Sequence, residues 1–137
     1  IVDATLPNVE VNLHRKFISF YKVGRHIKII SHGKDAVHMK HGFKPKIDPQ
    51  TIDKITQFIL QNRLHFEDGF IEFCKGDSHQ CLLDYASSDL FDYLNTPALS
   101  PSSDWVKTNF KKGRRGFLFQ VIEHNTQNSN TIPQWLD

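Results

Sequence analysis

IDPQTIDKITQFILQNRLHFEDGFIEFC, residues 47–74, reads as a helix that runs straight into a strand, and the rest of the chain is arranged around it. Asp48 is a natural N-cap, because its carboxylate can accept from the free amides of a first turn, and Pro49 fits the first helical position. At 100° per residue, Ile52, Ile55, Phe58, Ile59 and Leu60 share one arc, while Asp53, Lys54, Gln57 and Gln61 lie opposite. Asn62, which tolerates the left-handed conformation, is the expected stop. Leu64 and Phe66 then alternate as a short strand, Glu67-Asp68-Gly69 turns, and Phe70, Ile71 and Phe73 continue extended.

Upstream, Val9, Val11 and Leu13 alternate with Glu10 and Asn12 at the period of a half-buried strand. Residues 17–21 form a second β-rich run, and 26–31 alternate with Ile27 and Ile29 on one face and His26 and Lys28 on the other. Gly33-Lys34-Asp35 signals a turn, and 36–39 is a short strand candidate. Downstream, 70–74 and 80–85 read as a hairpin around Gly76-Asp77. Ser87 or Ser88 can cap a short helix through Leu90, Phe91, Tyr93 and Leu94. After a Pro/Ser loop at 96–103, residues 105–110 and 117–123 suggest a final hairpin with a basic tip. A polar stretch at 125–130, expected to be mobile, and a tail at 133–136 that could dock on a partner complete the chain. These elements predict one α+β domain over 1–137, with 97–137 as loop, basic-tipped hairpin and tail. The expected architecture is a mainly antiparallel sheet of about five to seven strands, one principal amphipathic helix at about 49–62 and one short helix at about 88–95.

The 137 residues suffice for a real core, and eleven Phe argue for a folded protein. The longest apolar runs are a few residues, too short for a membrane helix, so no membrane partner is expected. The opening IVDAT has neither an initiator Met nor a signal-peptide pattern and reads as the start of a piece of a longer chain. Cys74 and Cys81 could face each other across a short hairpin, but a disulfide framework usually needs more pairs, and two reduced core thiols are the expected reading. A net charge of +2 conceals strong segregation: residues 1–64 carry +6, 65–104 carry −7 and 105–137 carry +3. That pattern marks either differently charged surfaces or segments that pair in the fold.

No phosphate-cradle, dinucleotide or nucleophile-elbow motif is present, so no catalytic residue, cofactor or metal is assigned from sequence. Asp68, Glu72 and Lys75 invite a nuclease reading, but a period of two sends Glu72 and Lys75 to opposite faces. His32, His38 and His41 lack zinc spacing and read as exposed strand or loop positions. The run Lys107, Lys111, Lys112, Arg114, Arg115 places five positive charges within nine residues, flanked by Phe110, Phe117 and Phe119. With Trp135 of the tail, these are the expected contacts for a partner protein or for nucleic acid.

The order of features from Val9 to Leu94 resembles the conserved domain of the Spt-twenty family, the scaffold subunit of the SAGA transcriptional coactivator. The resemblance is carried by Val11-Asn-Leu-His, the Asp48-Pro49 helix, Leu64-His-Phe66-Glu-Asp68-Gly69, the strand at 70–74, and Cys81-Leu82-Leu83 leading to Leu90-Phe-Asp-Tyr-Leu94. It implies a non-enzymatic nuclear scaffold that binds protein subunits of a larger complex. A nucleic-acid-binding module using the 107–115 tip is the second expectation, and a small nuclease or toxin-type enzyme with a histidine-based site the third.

Overall fold

The computed structural model describes residues 7–33, 49–85, 88–101, 103, 104, 108 and 114–136. Its elements are strands β1 (Ile18–Val23) and β2 (His26–Ser31), helix α1 (Pro49–Gln61), a 3-10 turn (Leu64–Phe66), and strands β3 (Phe70–Lys75), β4 (Leu82–Asp84), β5 (Asp92–Asn95), β6 (Gly116–Ile122) and β7 (Ser129–Trp135). The first five strands form one mixed sheet in the order β1-β2-β3-β5-β4, and β6 and β7 form a separate antiparallel ribbon. The class is α+β, mostly sheet with one main helix.

The sheet's register sorts its side chains into two unlike faces. Phe20, Ile29, Phe73 and Tyr93 lie in one cross-strand row, with Ile27 and Ile71 on the same side. Ile55 and Ile59 of α1 join Ile27, Ile29, Ile71, Phe73 and Tyr93 in a single buried cluster, so the helix covers this face. On the other face the row is Tyr21, Lys28, Glu72 and Asp92. His26 and Lys28 are nevertheless buried like Ile27 and Ile29, though slightly less completely, because the ribbon covers the second face. A central strand closed on both sides loses the in–out alternation of burial while keeping that of side-chain direction.

Several sequence expectations are corrected. Residues 9–13 form no strand, and Val9, Val11 and Leu13 are exposed, since a period of two has no consequence without a neighbour to bury it. Asn62 is not the left-handed stop; its amide donates to the Phe58 carbonyl at 2.9 Å, and Arg63 takes the positive φ of 55°. Residues 64–66 wind as a 3-10 turn instead of extending. Segments 70–75 and 82–84 are not a hairpin: β5 lies between them, parallel to β3 and antiparallel to β4. The short helix expected at 88–95 is instead strand β5, whose Tyr93, Leu94 and Asn95 are buried. Ser88 does accept from the Leu90 amide at 3.2 Å, but this closes a local turn and starts no helix. The strand candidate at 36–39 lies outside the described residues.

Beyond the sheet, β6 fulfils the strand expected at 117–123, yet its partner is β7, in the stretch where a mobile segment and a tail were expected. Pro133 is tolerated there because the ribbon is only two strands wide. The expected partner segment at 105–110 lies, except for Thr108, outside the described residues.

Candidate interaction surface

A two-stranded ribbon is marginal alone and must gain its order from whatever it packs upon. Here its inner face, Leu118 and Gln120 of β6 with Thr131 of β7, lies over the Tyr21–Lys28–Glu72 row, leaving between them an open cleft of roughly 240 Å³. Lys28 Nζ donates to Glu72 Oε1 at 2.8 Å and to Gln120 Oε1 at 2.6 Å. Gln120 Nε2 donates to Glu72 Oε2 at 2.8 Å and to Thr131 Oγ1 at 2.9 Å, and the Tyr85 hydroxyl donates to the same Thr131 oxygen at 2.8 Å. Both carboxylate oxygens and both ends of the Gln120 amide are therefore engaged, which buried charge requires. Cys74 lines the same cleft; burial, aided by the Glu72 carboxylate, pushes its thiol up to about 12, the opposite of what a nucleophile needs.

The ribbon's turn is fastened separately. The Arg25 amide donates to the His124 carbonyl at 2.7 Å, and the Arg25 guanidinium donates to the Asn125 carbonyl at 3.1 Å and to Asp68 at 2.6 Å. His26 Nε2 lies 2.7 Å from the Glu123 carbonyl. Gly24 is required here: its φ is +58°, and a Cβ would meet the His124 carbonyl oxygen at 2.6 Å. At the opposite end, the Gly116 amide donates to the Ala98 carbonyl at 2.9 Å, and the Leu136 amide to the Arg115 carbonyl at 2.9 Å, which extends the ladder by one bond.

With its inner face committed, the ribbon turns an apolar row outward. Phe117, Phe119 and Val121 are 44%, 54% and 53% exposed, and across the ladder Ile132 and Leu136 are 37% and 51% exposed. Phe119 and Ile132 are direct register partners, so the row is contiguous across both strands. Contiguous apolar surface with aromatic side chains is the composition of a contact surface, whereas isolated exposed apolar residues are ordinary.

Of the residues expected to make contacts, Arg114, Arg115 and Trp135 come together at one end of this ribbon. The Arg114 guanidinium sits 4.7 Å from the centre of the Trp135 ring. Gly116 leaves that ring its space, since a Cβ there would lie 2.9 Å from Trp135 Cε3. Lys107, Lys111 and Lys112 lie outside the described residues, as do His38 and His41. Sequence reasoning missed Gln120 and Thr131: Gln120 is a polar residue of ordinary type within the strand expected at 117–123, and Thr131 falls between the stretch expected to be mobile and the tail.

The residues of the nuclease reading are dispersed among separate partners. Asp68 pairs with Arg25, Glu72 with Lys28, and Lys75 with Asp77 at 2.5 Å. The Lys75–Asp77 pair is buried at the carboxyl end of the parallel strands, near Ser78 and Asn95. Burial pushes the Lys75 ammonium pKa down, while the bond to Asp77 and its charge push it up. Among the described residues no group of three or more His, Cys, Asp or Glu is placed to hold a metal ion. Cys74 and Cys81 are both free thiols. Among the described residues no helix is long and apolar enough to cross a membrane.

No protein-family model matches the chain, and no curated protein matches it. Among solved structures it is similar to the crystal structure of a single mutant of Vps29 from Entamoeba histolytica, with a TM-score of 0.51 at 11% identity. The alignment covers 95% of this chain and 66% of that one, so this chain spans just under two thirds of its neighbour's length. The Spt-twenty resemblance is overturned by this finding: the structural neighbour is a Vps29, and no family model supports the resemblance. The SAGA-type coactivator role and the nuclear location rested on that resemblance and fall with it. At this identity the likeness is one of fold.

Proposed function

We propose that this chain is a non-enzymatic interaction domain of a multi-protein assembly, and that the outward face of β6–β7 is its contact surface. The observation that carries the reading is the contiguous row Phe117, Phe119 and Val121 facing Ile132 across the ladder, all exposed. Two further features support it. The ribbon is held on its sheet by a saturated polar network, so the outer face is presented on a fixed support and not on a free hairpin. The described charged side chains that could do chemistry inside the fold, Lys28, Glu72, Lys75 and Asp77, are engaged with one another.

A photo-crosslinking amino acid at position 119 tests this in cells of the source. The expected result is a discrete adduct to one protein, absent when the crosslinker sits at exposed Asp53 of α1 and lost when Val121→Asp is added. Equal adducts from both positions, or none from 119, would overturn the reading.

A further inference from the structure

The five-stranded sheet has two outer edges and treats them differently. At one, β4 is only three residues long, a common way of blunting an edge. At the other, β1 pairs with β2 through six consecutive residues, with no bulge and no Pro. Every second residue of an antiparallel edge strand turns its amide and carbonyl away from the sheet. Among the described residues no strand takes up those groups on β1. Beside this edge, between β1 and the end of α1, lies an open pocket of about 390 Å³, lined by Lys16, Ile18, Phe20, Phe58 and Asn62 among others. Arg15 and Lys16 are exposed, and no described residue bonds to either. Lys22, at the far end of β1, is tied to Glu67 at 3.3 Å. The uncommitted positive charge therefore sits at the start of the strand.

We infer that the outer edge of β1 receives an extended segment of another protein, which adds to the sheet as a further strand. The segment carries two apolar residues two apart, set beside Ile18 and Phe20, and an Asp or Glu two residues beyond them, towards Lys16. This is a second surface, separate from the outer face of the ribbon. Unpaired edge groups select an extended backbone, and side chains two apart in it share one face. That face is the α1 side, where Phe20 already begins the row Ile29, Phe73 and Tyr93 and where Phe58 closes the pocket. Charge complementarity selects the acid. The chain's own segments match less well. Residues 9–13 are exposed and alternate Val9, Val11 and Leu13, but their one acid, Glu10, falls on the opposite side of that alternation. Residues 34–48 carry four Lys and only two Asp, the same sign of charge as Lys16. A foreign segment is thus favoured over the chain's own residues or those of a second copy.

Panning random decapeptides displayed on phage against the immobilised protein tests the inference. The expected winners share the apolar pair with an acid two residues beyond it. N-methylation of a synthetic winner separates strand addition from side-chain contact alone: methyls on one set of alternate amides should abolish binding, and those on the other set should leave it intact. Changing the winner's acid to Lys should weaken binding about tenfold, as should Lys16→Glu in a protein whose melting is unchanged. The two changes together should restore much of the loss. Phe119→Ser should leave this binding unaltered, which distinguishes the β1 edge from the ribbon face. No winner, winners without the acid, equal sensitivity at both sets of amides, or loss in Phe119→Ser would overturn the inference. Binding seen only after Val11→Asp with Leu13→Asp would assign the edge to residues 9–13 of this chain and overturn a foreign occupant.

Discussion

Lys28 and Glu72 stand opposite one another on the parallel strands β2 and β3, their charged ends 2.8 Å apart, and Gln120 of the ribbon bonds to both. The pair does more than neutralise itself. It is the point at which a sheet face that would otherwise be open to water is joined to β6, and through Gln120 to Thr131 of β7. Buried ion pairs contribute little net stability over an apolar substitute, but removing one partner strands the other. The consequence is a seat that tolerates no partial loss.

Glu72→Ala should therefore destabilise the protein by about 3 kcal/mol or more, because it leaves a buried ammonium without its counter-charge. Adding Lys28→Met should recover a large part of that loss. Denaturant melts of both single variants and the double variant measure the coupling. Strictly additive costs would show that the two groups do not act as a pair.

Ile55 is 1% exposed in the cluster between α1 and the sheet. Ile55→Asp should cost on the order of 3 kcal/mol or more, the penalty of a buried carboxylate with no partner. An unchanged melting temperature would place α1 elsewhere.

Asp92 ends the polar row beside Glu72, and its pKa is raised above the ordinary 3.8, first by burial and then by the Glu72 charge, with Lys28 opposing. The folded state then holds this proton to higher pH than the unfolded chain does. Stability contributed by protonated Asp92 falls as pH rises from the ordinary carboxylate pKa through the raised folded one, and the charged carboxylate remains a net cost above it. Asp92→Asn should remove that fall, so that stability gained at neutral pH exceeds any change below the ordinary carboxylate range. Urea melts across the acid-to-neutral range check it; parallel curves for both proteins would show that Asp92 does not titrate abnormally.

Much of this fold was readable from residue pattern. Pro49 at the first helical position and the Ile52–Ile55–Ile59 arc specify α1, the cap expected at Asp48 lying outside the described residues, and the alternations at 26–31 and 70–74 give β2 and β3 with the correct faces. What failed was pairing. Nothing local in residues 88–95 tells that Tyr93 and Leu94 will be buried between β3 and β4, and a Ser followed by apolar residues at helical spacing is an equally good helix start. The same limit hid the surface. The basic run and Trp135 stood out by composition, but that Arg114 stacks on Trp135 depends on the β6–β7 register, and β7 itself, SNTIPQW, contains a Pro and few strand-formers. Glu72 and Lys75 fall on opposite faces as a period of two requires, and each finds its own partner, Lys28 and Asp77.

Phe119 and Gln120 are adjacent in β6 and point to opposite sides, Phe119 to solvent and Gln120 into the Lys28–Glu72 network. Changing each in turn, and measuring both melting and partner association, tests the division of labour most directly. Phe119→Ser is expected to shift stability by no more than about 1 kcal/mol, as for an exposed strand position, while weakening association with the partner that crosslinks from position 119 by about tenfold or more. Gln120→Ala is expected to destabilise by about 1–3 kcal/mol, since it takes from Glu72 Oε2 its Gln120 donor and from Lys28 one of its two acceptors. A Phe119→Ser protein that unfolds, or that keeps its full affinity, would contradict the assignment of the outer face to binding.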